Sequence, residues 1–180
     1  MLAEMAYYRA HHDEADSWAA LRDLRRRCAA LVAGELDTAL PLSDVEEALL
    51  AALRFRAYPE VPEVLAALRA GGARLAVVSN WDVSLHDVLE RTALRPLVDV
   101  VVTSAEARVA KPDPRIFAIA LERLGAPRDG AVHVGDSLEV DVAGARAAGV
   151  GGVLVVRDGG TPVPEGVRVI ASLRGLVAGA

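Results

Sequence analysis

Three short stretches of this chain combine residue types that can work on a charged group. The first is Gly135-Asp136-Ser137, which follows the apolar run Ala131 to Val134 and precedes Asp141. The apolar run reads as a buried strand, so Asp136 stands just past a strand's carboxyl end, where open α/β sheets place ligands. Gly135 permits the sharp turn. Ser137 can cap the next helix, which runs through Ala-rich sequence to a natural stop at Gly149. Asp141 falls in the first turns of that helix, so two carboxylates face one crevice. They repel unless a cation sits beside them, and an oxygen-only donor set suits Mg²⁺. A Gly-Asp ahead of a helix is equally the pattern of a plain helix N-terminus carrying a favourable acid.

The other two stretches tip the balance. Ser79-Asn80 ends a second apolar run, Leu75 to Val78, and Lys111-Pro112-Asp113-Pro114 follows a third, Val98 to Val102. Pro112 holds Lys111 extended; Asp113 is an N-cap with Pro114 at the first helical position. In a parallel sheet all three strand ends lie on one edge. A hydroxyl, an amide, an ammonium and two acids would meet there. Ser79 and Asn80 can hydrogen-bond a phosphoryl oxygen, aided by backbone N–H groups. Lys111 would neutralise the same group and keep the acids charged. Lys111 is the one lysine among 20 basic residues, and Asn80 the one asparagine. A lysine kept against so strong a drift to arginine suits a site that needs a compact ammonium.

The elements needed to position these groups follow from hydrophobic spacing. Residues 1–55 read as helical throughout, with Leu21, Leu24, Cys28, Leu31 and Val32 forming a helical stripe. Ser43-Asp44-Val45-Glu46 resembles a capping box. His11 and His12 near the start read as surface histidines at a helix end, within reach of a substrate only if the bundle folds over the site. From Tyr58 onward helix and strand alternate. Helices are expected at 59–70, 82–91, 114–124 and after Ser137, and strands at 74–78, 98–102, 131–134, 153–156 and 167–170. A last helix is expected from Ser172, and Gly159-Gly160-Thr161-Pro162 reads as a surface loop. Strands separated by helices imply βαβ units and a parallel sheet. The expected class is therefore α/β, a Rossmann-like parallel sheet (58–180) carrying a small helical unit (1–57).

Composition narrows the function classes. The 180 residues allow one core, or one core and a small accessory unit. A net charge of −5 argues against a nucleic-acid surface. No apolar run reaches the roughly 18 residues of a membrane span, and the opening residues do not read as a secretory signal. The single cysteine, Cys28, excludes an internal disulfide and fits a reducing, cytoplasmic setting; it reads as a small buried hydrophobe.

Taken together, Val77-Val78-Ser79-Asn80, Lys111-Pro112-Asp113-Pro114-Arg115-Ile116-Phe117 and His133-Val134-Gly135-Asp136-Ser137 with Asp141 resemble motifs II, III and IV of the haloacid dehalogenase-like (HAD) hydrolases. The likeness runs from about Tyr58 to Val156. Residues 1–55 resemble the C1-type cap inserted between that family's first two motifs. The resemblance implies a Mg²⁺-dependent phosphatase acting on a small phosphorylated metabolite. By it Ser79 and Lys111 are catalytic, and Ser79, Asn80 and Lys111 hold the phosphoryl group. Asp136 and Asp141 would serve the metal. The Gly-Asp pair resembles the phosphatase branch, whereas the metal-free 2-haloacid dehalogenases carry Ser-Asn at the corresponding place.

That family's first motif, Asp-x-Asp-x-Thr after an amino-terminal strand, supplies the attacking acid and the general acid–base. No such motif is found. Asp13-Glu14-Ala15-Asp16 lies in polar helical sequence with no apolar strand ahead of it. Without that acid, covalent catalysis has no attacking atom, and without that strand two apolar edges stand open at the sheet's centre. Three situations are therefore expected: an amino-terminally truncated form of an active enzyme, a short form that rearranges or pairs as a homodimer, or a strand supplied by another polypeptide. In the first, this chain is inactive or nearly so. The alternatives are a catalytically dead phosphate and Mg²⁺ binding module, or a dehalogenase.

Overall fold

The computed structural model of the protein describes residues 2–157 and 164–177; the loop expected at Gly159-Gly160-Thr161-Pro162 lies outside them. The chain opens with three helices, α1 (Leu2–His11), α2 (Trp18–Leu36) and α3 (Leu42–Ala52), with a 3₁₀ turn at His12–Glu14 between the first two. Ser17 caps α2 through the Ala20 amide. Leu21, Leu24, Cys28, Ala15 and Val83 form a buried cluster, so the stripe read from the sequence faces inward at Leu21, Leu24 and Cys28, whereas Leu31 at its end is exposed. Burial pushes the Cys28 thiol up to about 11, which keeps it an inert core atom. The expected capping box is not formed. α3 starts two residues earlier, at Leu42 behind Pro41, and the Ser43 hydroxyl binds the neighbouring Asp44 carboxylate. Proline's fixed φ suits the boundary of a helix, and it set the start here.

The remainder is α/β. Helix α4 (Val61–Ala70) leads to β1 (Ala76–Ser79), α5 (Leu85–Arg91), β2 (Val100–Thr103), a short α6 (Ser104–Ala107) and α7 (Pro114–Leu124). Then come β3 (Val132–Gly135), a π-helical turn (Leu138–Ala143) continued by α8 (Gly144–Ala147), β4 (Gly151–Val155) and β5 (Arg168–Ile170). The helix expected from Ser172 is a 3₁₀ turn, Leu173–Leu176, and the segment that joins β2 to Lys111 contains α6.

All the strand pairings are parallel, but they form two sheets: β1 with β2, and β3–β4–β5. Helix α7 lies against both. Its Ile116, Phe117 and Ala120 sit in one core with Val102, Ala145 and Val150, against which Ala76, Val78 and Ala131 also pack. β1 and β3 are each hydrogen-bonded on one side only. Their exposures register this. β1 is half-buried along its length and Val132 of β3 is 54% exposed, whereas Val102 of β2 and Leu154 of β4 are almost fully buried.

Candidate active site

The carboxyl ends of β1, β2 and β3 carry the polar groups that the sequence singled out. Asn80, one residue past β1, donates from Nδ2 to the Lys111 carbonyl at 2.8 Å and accepts the Lys111 amide on Oδ1 at 2.7 Å. This reciprocal pair fixes the backbone of Lys111 from a strand that lies 31 residues earlier. Asp113 caps α7 as expected, accepting the Arg115 amide at 2.9 Å, and the Lys111–Pro112 peptide is cis. The start of α8 comes very close to this segment: a Cβ on Gly144 would lie 2.9 Å from the Pro112 backbone, so only glycine fits there.

Lys111 extends its ammonium to Asp141 Oδ1 at 2.6 Å. The same oxygen lies 3.0 Å from His133 Nε2, and the Ser137 amide donates to Oδ2 at 2.9 Å. Asp141 is 4% exposed. Burial opposes its ionisation, but hydrogen bonds from His133, Lys111 and Ser137 and the nearby ammonium outweigh it, so its carboxyl is held well below the usual range. Gly135 is required by this packing, because a Cβ there would fall inside the Asp141 carboxyl group. The π turn carries Asp141 to this place, and Ser137 caps it through the Val140 amide at 3.1 Å.

Asn80, Lys111 and Asp141 thus form one connected cluster. Asp136, one residue past β3, is exposed and makes no hydrogen bond or ion pair among the described residues. Ser79 is half-buried at the end of β1, in register with Thr103 of β2. Both oxygens of Asp141 are already engaged, and among the described residues no trio of His, Cys, Asp or Glu gathers in metal-binding geometry. The donor set therefore fits a cation held by Asp136 with phosphate and water oxygens, in keeping with Mg²⁺ and its retained waters. It does not fit a closed protein cage.

The sequence reading missed two participants. His133 is both an Asp141 ligand and an edge-on neighbour of the Phe117 ring, 5.0 Å between centroids. Its place two residues before Gly135 on an alternating strand was the available signal. The second is Asp13. It does reach a strand end, that of β2, where the buried Ser104 hydroxyl binds its carboxylate and His12 Nε2 lies 3.2 Å away. It makes no hydrogen bond or ion pair to Lys111, Asp136 or Asp141. With it come Tyr8, whose hydroxyl donates to the buried Asp82 at 2.7 Å, the Asp16–Arg108 ion pair, and the Val83 amide on the Ala15 carbonyl. The first helices are thus seated on the carboxyl ends of β1 and β2. His11 instead stacks on Tyr7, 4.0 Å between ring centroids.

The sequence profile of the haloacid dehalogenase-like hydrolases matches residues 3–149. The chain belongs to that family. It is 41% identical over 103 residues to haloacid dehalogenase-like hydrolase domain-containing protein 3 of Danio rerio, covering 57% of this chain and 43% of that one. It is 42% identical over 99 residues to the phosphoglycolate phosphatase of Caulobacter vibrioides, covering 54% of this chain and 41% of that one. The matched stretch thus spans about two fifths of these relatives. Among solved structures, a HAD phosphatase from Thermococcus onnurineus superposes with a TM-score of 0.66 at 26% identity, over 97% of this chain and 89% of that one. Solved dehalogenases superpose too, at 23–24% identity, a likeness of fold alone. No helix among the described residues is long and apolar enough to cross a membrane.

Proposed function

We propose that this chain forms the phosphoryl-binding half of a HAD-type, Mg²⁺-dependent phosphatase for small phosphomonoesters. Residues 58–180 would serve as its core and residues 1–57 as a C1-type cap. The observation that carries the reading is the Asn80–Lys111–Asp141 cluster at the edge where the first three strands end. Asn80 positions Lys111 by its backbone. Asp141 holds the ammonium in place. Lys111 and the Ser79 hydroxyl, with nearby backbone amides, then bind the phosphoryl oxygens. Asp136 would hold the Mg²⁺, which when bound offsets negative charge on the phosphoryl group. Phosphatases among the relatives support this choice of substrate class.

The family's attacking acid is not among these residues. Asp13, the acid that the first helices bring to a strand end, binds Ser104 and His12. The proposal therefore includes low or absent turnover by this chain alone, with binding retained. Thermal unfolding with and without Mg²⁺ and inorganic phosphate tests the site, and release of phosphate from an aryl phosphate tests turnover. A rise in Tm that needs both ligands and disappears in Lys111→Ala and Asp136→Ala is expected. A rise that survives in both variants overturns the assignment. Robust Mg²⁺-dependent turnover lost in Asp136→Ala would show that an attacking group is present after all.

A further inference from the structure

Away from the phosphoryl site, a cavity of about 370 Å³ opens where the first helices join the α/β core. That volume is within the range of small-molecule sites. The end of α3, the linker behind it and the last turn of α5 bound it, and none of Asn80, Lys111, Asp136 or Asp141 lines it. Its apolar lining comes from Leu50, Phe55 and Val88. Val88 is buried, whereas Phe55 is 43% exposed and the adjoining Leu53 44%.

Three arginines, Arg54, Arg56 and Arg91, border the same cavity. Arg54 and Arg56 make no hydrogen bond or ion pair among the described residues. Arg91 reaches only the Asp87 carbonyl, at 3.4 Å. Elsewhere Arg27, Arg69, Arg108, Arg115 and Arg157 each hold a carboxylate. The acids nearest in sequence, Glu47, Asp87 and Glu90, do not line the cavity and pair with none of the three. Arg91 closes α5, where a basic group also offsets the helix end. Arg54 and Arg56 stand in a linker without helix or strand and have no such task. In a chain of net charge −5, three unbalanced cations over one apolar hollow raise the local concentration of anions.

We propose that this cavity binds a small organic anion that joins a carboxylate or phosphate head to an apolar body. The head follows from the arginines, whose planar forks match both oxyanions in bidentate fashion. The body follows from the lining, because apolar atoms placed against Leu50, Phe55 and Val88 leave water. A ring suits the site best, since guanidinium groups also stack on aromatic faces. An inorganic ion would meet the arginines alone, and a hydrocarbon the lining alone. Binding here would be felt in the core. The Phe55 ring meets Trp81 edge-on, 5.1 Å between centroids, and Trp81 follows Asn80 in the chain. The inference does not depend on the phosphoryl reading.

The test titrates the full chain with phenylacetate by calorimetry and locates the probe by amide chemical shifts. Saturable binding is expected, with shifts gathered at 50–56, 81 and 88–92. Phenylacetamide has the same shape without the charge and should bind about tenfold more weakly or worse, because it loses the charge-assisted hydrogen bonds. Acetate, the head without the body, should also bind at least about tenfold more weakly. Benzylphosphonate identifies the head: tighter binding than phenylacetate supports a phosphate ligand, weaker binding a carboxylate. The double variant Arg54→Gln, Arg56→Gln should weaken phenylacetate about tenfold or more while circular dichroism shows the fold intact. If that variant fails to fold, the shift pattern of the wild-type chain decides. Lys111→Ala should bind phenylacetate as the wild type does. Equal binding of the amide, an unchanged affinity in the folded arginine variant, shifts centred elsewhere or no saturable binding overturns the proposal. So does a loss of binding in Lys111→Ala, which would put the probe in the phosphoryl site.

Discussion

At the scale of single residues, Asp141 organises the site. Two acids spaced as Asp136 and Asp141 are suggest a shared cation, but the structure gives them different surroundings. Asp136 is open to solvent, while Asp141 is buried and spends both oxygens on Lys111, His133 and the Ser137 amide. Asp141→Asn leaves a nearly buried ammonium without its counter-charge. It should destabilise the fold by about 3–5 kcal/mol, measured by urea unfolding at neutral pH. The pH dependence has a definite sign. The folded-state pKa of Asp141 is depressed, so its contribution is present above the ordinary carboxylate value near 3.9 and is lost as pH falls below it. Wild-type stability should drop faster than that of Asp141→Asn below about pH 4, and the two should converge in strong acid. Equal acid slopes would mean that the ion pair contributes no net stability. That Lys111 pairs with Asp141 was not legible in the sequence, because spacing shows which carboxylates can share a crevice and not which one the Lys111 ammonium reaches.

At the scale of elements, the site depends on close approaches that only missing side chains permit. Gly135 sits against Asp141, and Gly144 against Pro112. Gly135→Ala must push the carboxylate off its three donors. We expect a loss of about 2–3 kcal/mol, the upper range for overpacking, together with loss of the phosphate-dependent rise in Tm. Gly34→Ala, where nothing lies within 4 Å of the added carbon, is the control and should be neutral or slightly stabilising. The β–α alternation, the Asp113 and Ser137 caps and the inward stripe of α2 were readable, because each rests on local spacing and turn chemistry. What failed was also local, but in competition with something else. Pro41 set the start of α3 ahead of the Ser43 box, and the segment from Leu138 formed a wider π turn that brings Asp141 back onto Gly135. The docking of Tyr8 on Asp82 and Asp13 on Ser104 joins residues more than seventy positions apart, and no periodicity encodes such pairings.

At the scale of the whole molecule, the two parallel half-sheets share no ladder hydrogen bond among the described residues and meet through side chains. Most of that joint is α7. Phe117 is 3% exposed, belongs to a core fed by β1, β2, α8 and the Ala131 ahead of β3, and touches His133 of β3 with its ring, while the opposite face relies on Glu60 with Arg157 and Ser172. Small single-core domains usually unfold in one step. Here one-step behaviour depends on how strongly the α7 contacts couple the halves. Removing the Phe117 ring leaves a cavity where the halves meet, and it should cost about 3–5 kcal/mol. The distinguishing result lies in where that loss appears. If the halves are coupled mainly through this ring, amide exchange in Phe117→Ala should quicken more in β3 and β4 than in β2, which keeps Val101 within the separate cluster of Leu85, Leu89 and Val98. A uniform increase across all strands would show instead that α4 and its ties to Arg157 and Ser172 carry the coupling. Glu60→Gln would then be the variant that separates the halves.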